Sequence, residues 1–429
     1  MKHSGFKIYL LIWLGTFISE IGTGMTSFAL GIYIYQLTGQ AASSALVTLC
    51  AFLPGLLMTP LAGILADRYD RRLLMALGDG LSGLGVLWIY FSLQTSQPSL
   101  LNICLGAAIS SVFSALVTPA FRATISDLVP EDQISKATGL SQINGIARYL
   151  ISPSLAGLIL AQGTIGQILL IDFSTIFVTV ICNLLARRHI KAPIKASPHP
   201  FWSEFMRGFQ IIYEKRGIWL LVLLGTAFSF FLGTVEILLS PMILGFASSQ
   251  EVGWTMAISS SGMLLGGLIL GIFSIKRHFH LILSLSLGLL GIFMAGMGSK
   301  ENLVWICFFG FLLFMSLPFA NTAIDYLIRL NIDKSEQGKA WGTIGIISQF
   351  GYVIAYASMG WVADSFFKPL LLPKGALVTW LGSIIGTGSS RGYGLLLILA
   401  GFCISISALF LYRQSAIKEL EYVSKINLE

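Results

Sequence analysis

Apolar runs of about twenty residues recur along the whole chain, broken by short stretches that hold most of the charge. A run of that length matches a hydrocarbon core about 30 Å thick at about 1.5 Å per helical residue. Lipid offers no partner to backbone amides, so such runs must be helices or barrel strands. Barrel strands alternate apolar and polar positions over about ten residues, and runs such as 281–298 do not alternate. The pattern therefore predicts an all-α membrane protein. Its twelve transmembrane helices lie near residues 8–36, 43–66, 73–93, 98–121, 137–162, 166–186, 217–246, 250–275, 280–298, 302–326, 338–364 and 391–412.

The longest polar stretch, residues 187–216, follows the sixth run at the midpoint of the 429 residues. It divides the chain into an N-terminal six-helix bundle (1–190), a cytoplasmic linker (191–216) and a C-terminal six-helix bundle (217–429). Residues 194–200 are polar and proline-bearing, as a linker should be. Residues 201–213 then show helical apolar spacing, which fits an amphipathic helix on the inner membrane surface or a solvated linker. Pro119-Ala-Phe-Arg-Ala-Thr near span four is similar to Pro318-Phe-Ala-Asn-Thr-Ala in span ten. Lys136-Ala-Thr-Gly139 opens span five as Lys339-Ala-Trp-Gly342 opens span eleven, and Gly157 then aligns with Gly360. These matches keep their order at nearly constant offset, so the two bundles read as pseudo-symmetric. The second half also carries a long outer loop, 365–390, apolar in patches and punctuated by glycine. It reads as a re-entrant or interfacial cap, or as a surface loop without fixed structure.

Composition sharpens the picture. Only 11% of residues are charged and 55% are hydrophobic, against roughly a quarter charged in a soluble chain. The net charge of +7 would be compatible with nucleic acid, but its distribution follows membrane orientation instead. With the N-terminus inside, only Lys300, Lys368, Lys374 and Arg391 of the 27 basic residues fall on the outer side, and Arg148 falls within a span. That asymmetry predicts a multi-pass protein of a bacterial-type plasma membrane with both termini cytoplasmic. Lys2 and Lys7 before the first run imitate a signal peptide, yet the run continues through Glu20 to Tyr35 with no small-residue cleavage site, so it reads as a retained helix. The five cysteines each lie in a different apolar run with no CxxC spacing, and the five histidines lie between or before spans. They predict no disulfide, no metal site and no cofactor.

The most specific motif is the turn between spans two and three, Gly63-Ile-Leu-Ala-Asp67-Arg68-Tyr-Asp70-Arg71-Arg72. A glycine there permits close helix packing, and an aspartate at a helix end with arginines just beyond can bridge to a neighbouring helix terminus. This turn resembles the signature loop of the major facilitator superfamily, G-x-L-a-D-r-x-G-r-[RK], with Asp70 where that pattern has glycine. The resemblance implies a fold of two six-helix bundles and a gating loop that stabilises one access state, a role carried here to Asp67, Arg68 and Arg72. Asp79 in span three is expected to receive the charges of Arg71 and Arg72. The corresponding loop of the second half, Gly271-Ile-Phe-Ser-Ile275-Lys276-Arg277, keeps the glycine and the bases but has lost the acid.

Span five holds Arg148-Tyr-Leu-Ile-Ser152-Pro153-Ser-Leu-Ala156-Gly157. A proline with small residues bends a helix and lets a neighbour approach. The segment is similar to the g-x-x-x-G-P-x-x-G-G pattern of superfamily exporters, matching at Pro153 and Gly157 with Ser152 and Ala156 as small substitutes. Together with Asp70 and the sequence Arg122-Ala-Thr-Ile-Ser-Asp127-Leu-Val-Pro130, it resembles the macrolide-efflux and siderophore-exporter group of drug:proton antiporters. That resemblance implies outward transport.

Charges inside the membrane are expensive and mark function by default. Glu20 lies roughly 18 Å into span one and Arg148 roughly 17 Å into span five, so both sit near mid-depth. Spans one and five are neighbours in the superfamily's fold, so the two are expected to pair, or to compete for proton and substrate. Glu236, before Pro241 in span seven, is expected to face the outer half of the cavity. Asp172 and Asp364 read as capping or interfacial residues at outer helix ends, and Asp325 as a candidate for the inner gate. Residues 101–121 carry no charge, so an arginine within span four, which many proton antiporters of the superfamily possess, is absent here.

These readings predict a secondary transporter that exports a hydrophobic or amphipathic small molecule against protons by alternating access. Aromatic residues such as Phe28, Tyr33, Tyr35, Phe228, Phe230 and Phe231 suit an apolar cargo, and equally suit packing or lipid contact. An importer or a lysolipid flippase on the same fold is the alternative. No HExxH, GxSxG or Walker loop points to an enzyme. The expected partners are a small-molecule substrate, protons and the lipid bilayer, with no nucleic acid, and the chain is expected to act as a monomer. Coupling is expected to reside in the first six helices, while the last six shape the cavity.

Overall fold

The computed structural model describes residues 2–189, 201–273, 278–333 and 336–426. Among them are helices and turns with no strand, and twelve helices are long and apolar enough to cross a membrane. Spans one to three are Lys2–Thr38, Ala41–Arg68 and Arg71–Leu93. Span four is Leu100–Ser114 followed by Val117–Leu128, and spans five and six are Ile134–Gln162 and Ile165–His189. Spans seven to ten are Arg216–Leu244, Ser249–Ile272, Phe279–Ser299 and Leu303–Asn331. Span eleven begins as Gln337–Val362, and span twelve is Ser389–Arg413. The chain forms two compact units, residues 1–39 with 43–201, and residues 40–42 with 202–429.

Within the first unit, span one packs on spans five and six, and span three on spans four and six. Within the second, span seven packs on spans eleven and twelve, and span nine on spans ten and twelve. Adding six to each span number turns the first set of pairs into the second. The repeat is thus a property of packing, stronger than the short sequence matches. Because lipid tails are as apolar as the side chains they touch, helices associate in membranes through close fit, and small residues let backbones meet. In the first unit a Cβ on Gly106 would stand 2.8 Å from the carbonyl oxygen of Gly85. In the second unit, where spans nine and twelve cross, Gly291 and Gly401 likewise leave each other no room for a Cβ.

Three elements depart from the predicted boundaries. Span four breaks at Ala115–Leu116, because Pro119 has no N–H with which to continue the helical ladder and fits only the first turn of a new helix. Span eleven does not end at 364. It continues through a π turn, Ala363–Phe367, into Lys368–Leu371. The outer loop therefore begins as helix and is folded beyond it. A short helix, Gly382–Ile385, follows, and backbone bonds from Leu377 N to Leu370 O (3.2 Å) and from Gly388 N to Leu371 O (2.9 Å) close it down. Third, the helix expected over 201–213 runs Phe201–Glu214 and is docked on the start of span eleven, so it is not a solvated linker. It buries Ile211 and Ile212, Arg207 pairs with Glu336 at 2.7 Å, and Thr343 Oγ1 donates to Phe205 O at 3.3 Å. The proline-bearing segment 194–200, residues 274–277 of the second-half loop and Lys334 lie outside the described residues.

A terminal helix, Ser415–Ile426, lies against spans seven, nine and ten. Glu421 anchors it. Its Oε1 accepts from the His278 amide at 2.7 Å, and its Oε2 lies 2.5 Å from His280 Nδ1 and 3.3 Å from the His280 amide. Span nine thereby has a free amide at its start satisfied by a side chain from another helix, next to a left-handed His278 (φ 62°).

Candidate transport site

Span one approaches span five at Gly24, where a Cβ would stand 2.5 Å from Ser152 Oγ and 3.1 Å from Arg148 Cγ. Ser152 Oγ fastens the crossing by donating to Ile21 O at 3.0 Å. One turn along each helix, Arg148 Nη1 meets Glu20 Oε2 at 3.5 Å. Their side chains remain 41% and 32% exposed, so the pair is reachable rather than sealed. The structure thus brings together the two intramembrane charges that the sequence placed at equal depth. Span five runs unbroken through Pro153, and Pro153 and Gly157 are both buried. Ser152, at the position where the exporter pattern has glycine, makes the specific contact.

A second acid stands behind this pair. Asp172 is 1% exposed and accepts from Thr23 Oγ1 at 3.4 Å. Gly22 admits it: a Cβ there would come within 2.9 Å of Asp172 Oδ1. The reading of Asp172 as an interfacial cap is therefore corrected. It lies only seven residues into span six, but that turn is covered by span one rather than by solvent. Asp79 needs a similar correction. Two turns of helix separate it from Arg71 and Arg72, about 11 Å along the axis, and it is buried with Oδ2 lacking any partner among the described residues. The charged groups that bear on it are Glu20 and Asp172.

The loop arginines find other partners. Arg71 Nη1 contacts Asp127 Oδ2 at 2.6 Å and donates to Ala123 O at 3.0 Å, while its Nε donates to Ala66 O at 3.1 Å. Asp70 caps span three by accepting from Arg72 N at 3.0 Å and pairs with Arg187 at 3.0 Å. The residue that departs from the family's glycine is thus an N-cap and an ion-pair partner at once. Arg72 is 1% exposed. Asp67 and Arg68 are exposed, and Asp67 has Arg71 at 3.9 Å. Gly63 was expected to serve close packing, yet a Cβ on it would meet nothing within 4 Å, and the covered residues at that level are Ala62 and Ala66.

In the second unit Glu236 is exposed, and its Oε2 accepts from the Tyr356 hydroxyl at 2.5 Å. Gly233, one turn earlier, lets the helices close, since a Cβ there would stand 3.1 Å from Tyr352 and 3.4 Å from Tyr356. Tyr356 carried no signal in the sequence, and only the fold pairs it with Glu236. Asp364 accepts from Tyr393 at 2.8 Å, and Asp325 is exposed one turn before Arg329. Among the described residues no group of three or more His, Cys, Asp or Glu side chains could hold a metal ion.

A sequence model of the Major Facilitator Superfamily matches residues 12–356. Macrolide efflux protein A of Streptococcus pyogenes is 25% identical over 380 residues, covering 85% of this chain and 91% of that protein. The enterobactin exporter EntS of Escherichia coli O1:K1 is 24% identical over 421 residues, covering 96% and 94%. Among solved structures, the nucleoside transporter NupG superposes with a TM-score of 0.72 at 13% identity, over 95% of this chain and all of that one. A bacterial homologue of the human lysosomal transporter Spinster gives 0.73 at 14%, over 100% and 98%. At such identities the structures establish the fold, and the family model carries the membership. Since that model runs from span one into span eleven across both repeats, the chain is an integral membrane transporter that belongs to the Major Facilitator Superfamily.

Proposed function

We propose that this transporter exports a hydrophobic or amphipathic small molecule in exchange for protons across a bacterial plasma membrane, with both termini in the cytoplasm. The observation that carries the reading is the half-open Glu20–Arg148 pair, one acid and one base within 3.5 Å at mid-span. A proton arriving on Glu20 removes its charge and releases Arg148. Loss of that proton restores the pair. One ion pair made and broken per cycle is a two-state element that a proton and a cargo can bias in opposite directions. A membrane potential of 100 mV supplies about 2.3 kcal/mol per proton moved. Two relatives named as exporters support the outward direction, and the likeness to a nucleoside transporter, resting on fold alone, does not favour import.

The turn after span two supplies the base of the moving part. Arg71–Asp127 joins it to span four and Asp70–Arg187 joins it to span six, so the turn ties together the inner ends of three spans. The chain acts as a monomer, with Glu236 and its tyrosine on the cargo side of the cycle.

The test is drug transport in everted membrane vesicles, with ethidium and erythromycin as probes and a respiratory proton gradient as the driving force. Uptake that collapses with an uncoupler, and that Glu20→Gln lowers at least tenfold, is the expected result. Wild-type rates in Glu20→Gln would remove Glu20 from coupling, and uptake indifferent to the uncoupler would end the proton reading.

A further inference from the structure

Inside the first unit, the helix faces that meet one another carry polar atoms that their neighbours leave unsatisfied. Asp79 Oδ2, Asn144 Oδ1 and both polar side-chain atoms of Asn183 are buried with no hydrogen-bond partner among the described residues. Asn183 is 0% exposed, Asn144 6% and Asp79 7%. Each unmet group of this kind costs about 1–3 kcal/mol, and internal water with two to four partners is the usual relief.

Helix contacts place these groups in order. Thr179 Oγ1 donates to Gly15 O at 2.8 Å and Cys182 meets Gly15, so Asn183 lies at the inner third of span one. Gly80, next to Asp79, faces Val180 of span six, which sets Asp79 near the same level. Asn144 precedes Arg148 by one turn of span five. The Glu20–Arg148 pair comes next, and Asp172 with Thr23 lies beyond it at Gly22. Asp172 and Asn183, eleven residues apart on one helix, span about 16 Å. Polar groups thus follow one another through the interior of the bundle, with acids at both ends and in the middle.

We propose that Asp172 and Asp79 are proton-holding carboxyls at the two ends of a hydrated file inside the first bundle, with Glu20 between them. The inference rests on the proton-exchange reading and extends it from one pair to a route. A proton leaves a hydronium ion on the outer side, which becomes water, and forms an O–H bond on Asp172. It passes by way of Thr23 and water to Glu20, opening the pair with Arg148, and then to Asp79 beside Asn183. Each transfer breaks one O–H bond and forms another, with no electron moved. The groups that face Asp172 are Glu20 from span one, Asp79 from span three and Arg148 from span five. Asp79 faces Glu20 and Asp172; the first helix of span four offers it no charge, and in the second Asp127 is held by Arg71. Asp79 and Asp172 are buried acids, and the one guanidinium of the cluster pairs with Glu20.

The full-length protein in lipid nanodiscs would be treated with an apolar carbodiimide, which adds to protonated carboxyls in lipid-protected sites, across a series of pH values. Mass spectrometry should find adducts on Asp79 and Asp172 that disappear as the pH rises. Absence of adducts on both at every pH overturns the proposal. Infrared difference spectra between acid and alkaline pH give a second reading: Asp79→Asn and Asp172→Asn should each remove part of the protonated-carboxyl band. Folded variants with the band intact also overturn it. Neither measurement needs a cargo, so a wild-type protein that fails to export drugs would defeat the proposed function and leave this result to be decided on its own.

Discussion

The Tyr356 hydroxyl donates to Glu236 Oε2 at 2.5 Å, from a tyrosine 4% exposed to an exposed glutamate. A buried phenol cannot follow a moving partner, so it fixes the direction in which Glu236 points. Tyr356→Phe keeps the ring packing and removes the bond, a net loss of about 0.5–1.5 kcal/mol. The expected outcome is a several-fold rise in the half-saturating drug concentration with little change in maximal rate, read in the vesicle assay. A fall in maximal rate alone would mean that Glu236 serves the cycle and not the cargo.

Arg71 satisfies Asp127 and two backbone carbonyls at once. Arg71→Ala leaves Asp127 without its base and two carbonyls without their donor, a loss of about 1–3 kcal/mol. Thermal unfolding followed by tryptophan fluorescence should show a clear drop in midpoint. Arg68→Ala, at an exposed position, should leave the midpoint where it was.

The terminal helix should detach in acid. Burial alone would raise the Glu421 carboxyl, but the His280 ring and the amides of His280 and His278 outweigh it and hold the group below the ordinary glutamate range. A carboxyl depressed in the folded state contributes stability above its unfolded value and loses it as the pH falls through the folded one. Protease cleavage at the start of Ser415–Ile426 should therefore stay slow at neutral pH and accelerate only below the glutamate range. Glu421→Gln should be cleaved faster at neutral pH as well.

Helix crossings should tolerate no added carbon. Gly291→Ala places a methyl against the backbone of span twelve, and expression as a monodisperse species should fall sharply. Gly267→Ala in span eight meets nothing within 4 Å and should gain up to about 1 kcal/mol from helix propensity. Size-exclusion profiles of the two variants compare the effects directly.

Run length and charge spacing made the twelve spans legible, because hydrocarbon thickness acts on each helix alone. The break before Pro119 was also within reach, since proline acts locally. Glu20 and Arg148 could be set at one depth by counting, while their meeting depends on Gly24 and Ser152, two small residues whose meaning appears only when helices are side by side. Asp172 and Asp79 were misread for the same reason. Position along a helix tells how deep a residue lies, not which neighbour covers it. The partners of Arg71 follow the same rule: Asp127 lies 56 residues away, and nothing in the turn itself names it.

Span two has no extensive packing partner among the described helices, whereas its repeat counterpart, span eight, lies along span ten. Its Gly55 touches Ser111 at 2.9 Å, and its foot is held through Arg71 to Ala66. Its outer end is the covered part, with Ala41, Ala45 and Val47 buried and Ser44 Oγ donating to Gly31 O of span one at 2.9 Å, which leaves the middle of the helix the least held. Deuterium should accordingly enter span two sooner than span eight, so the older symmetry of the fold would be audible as two different pitches.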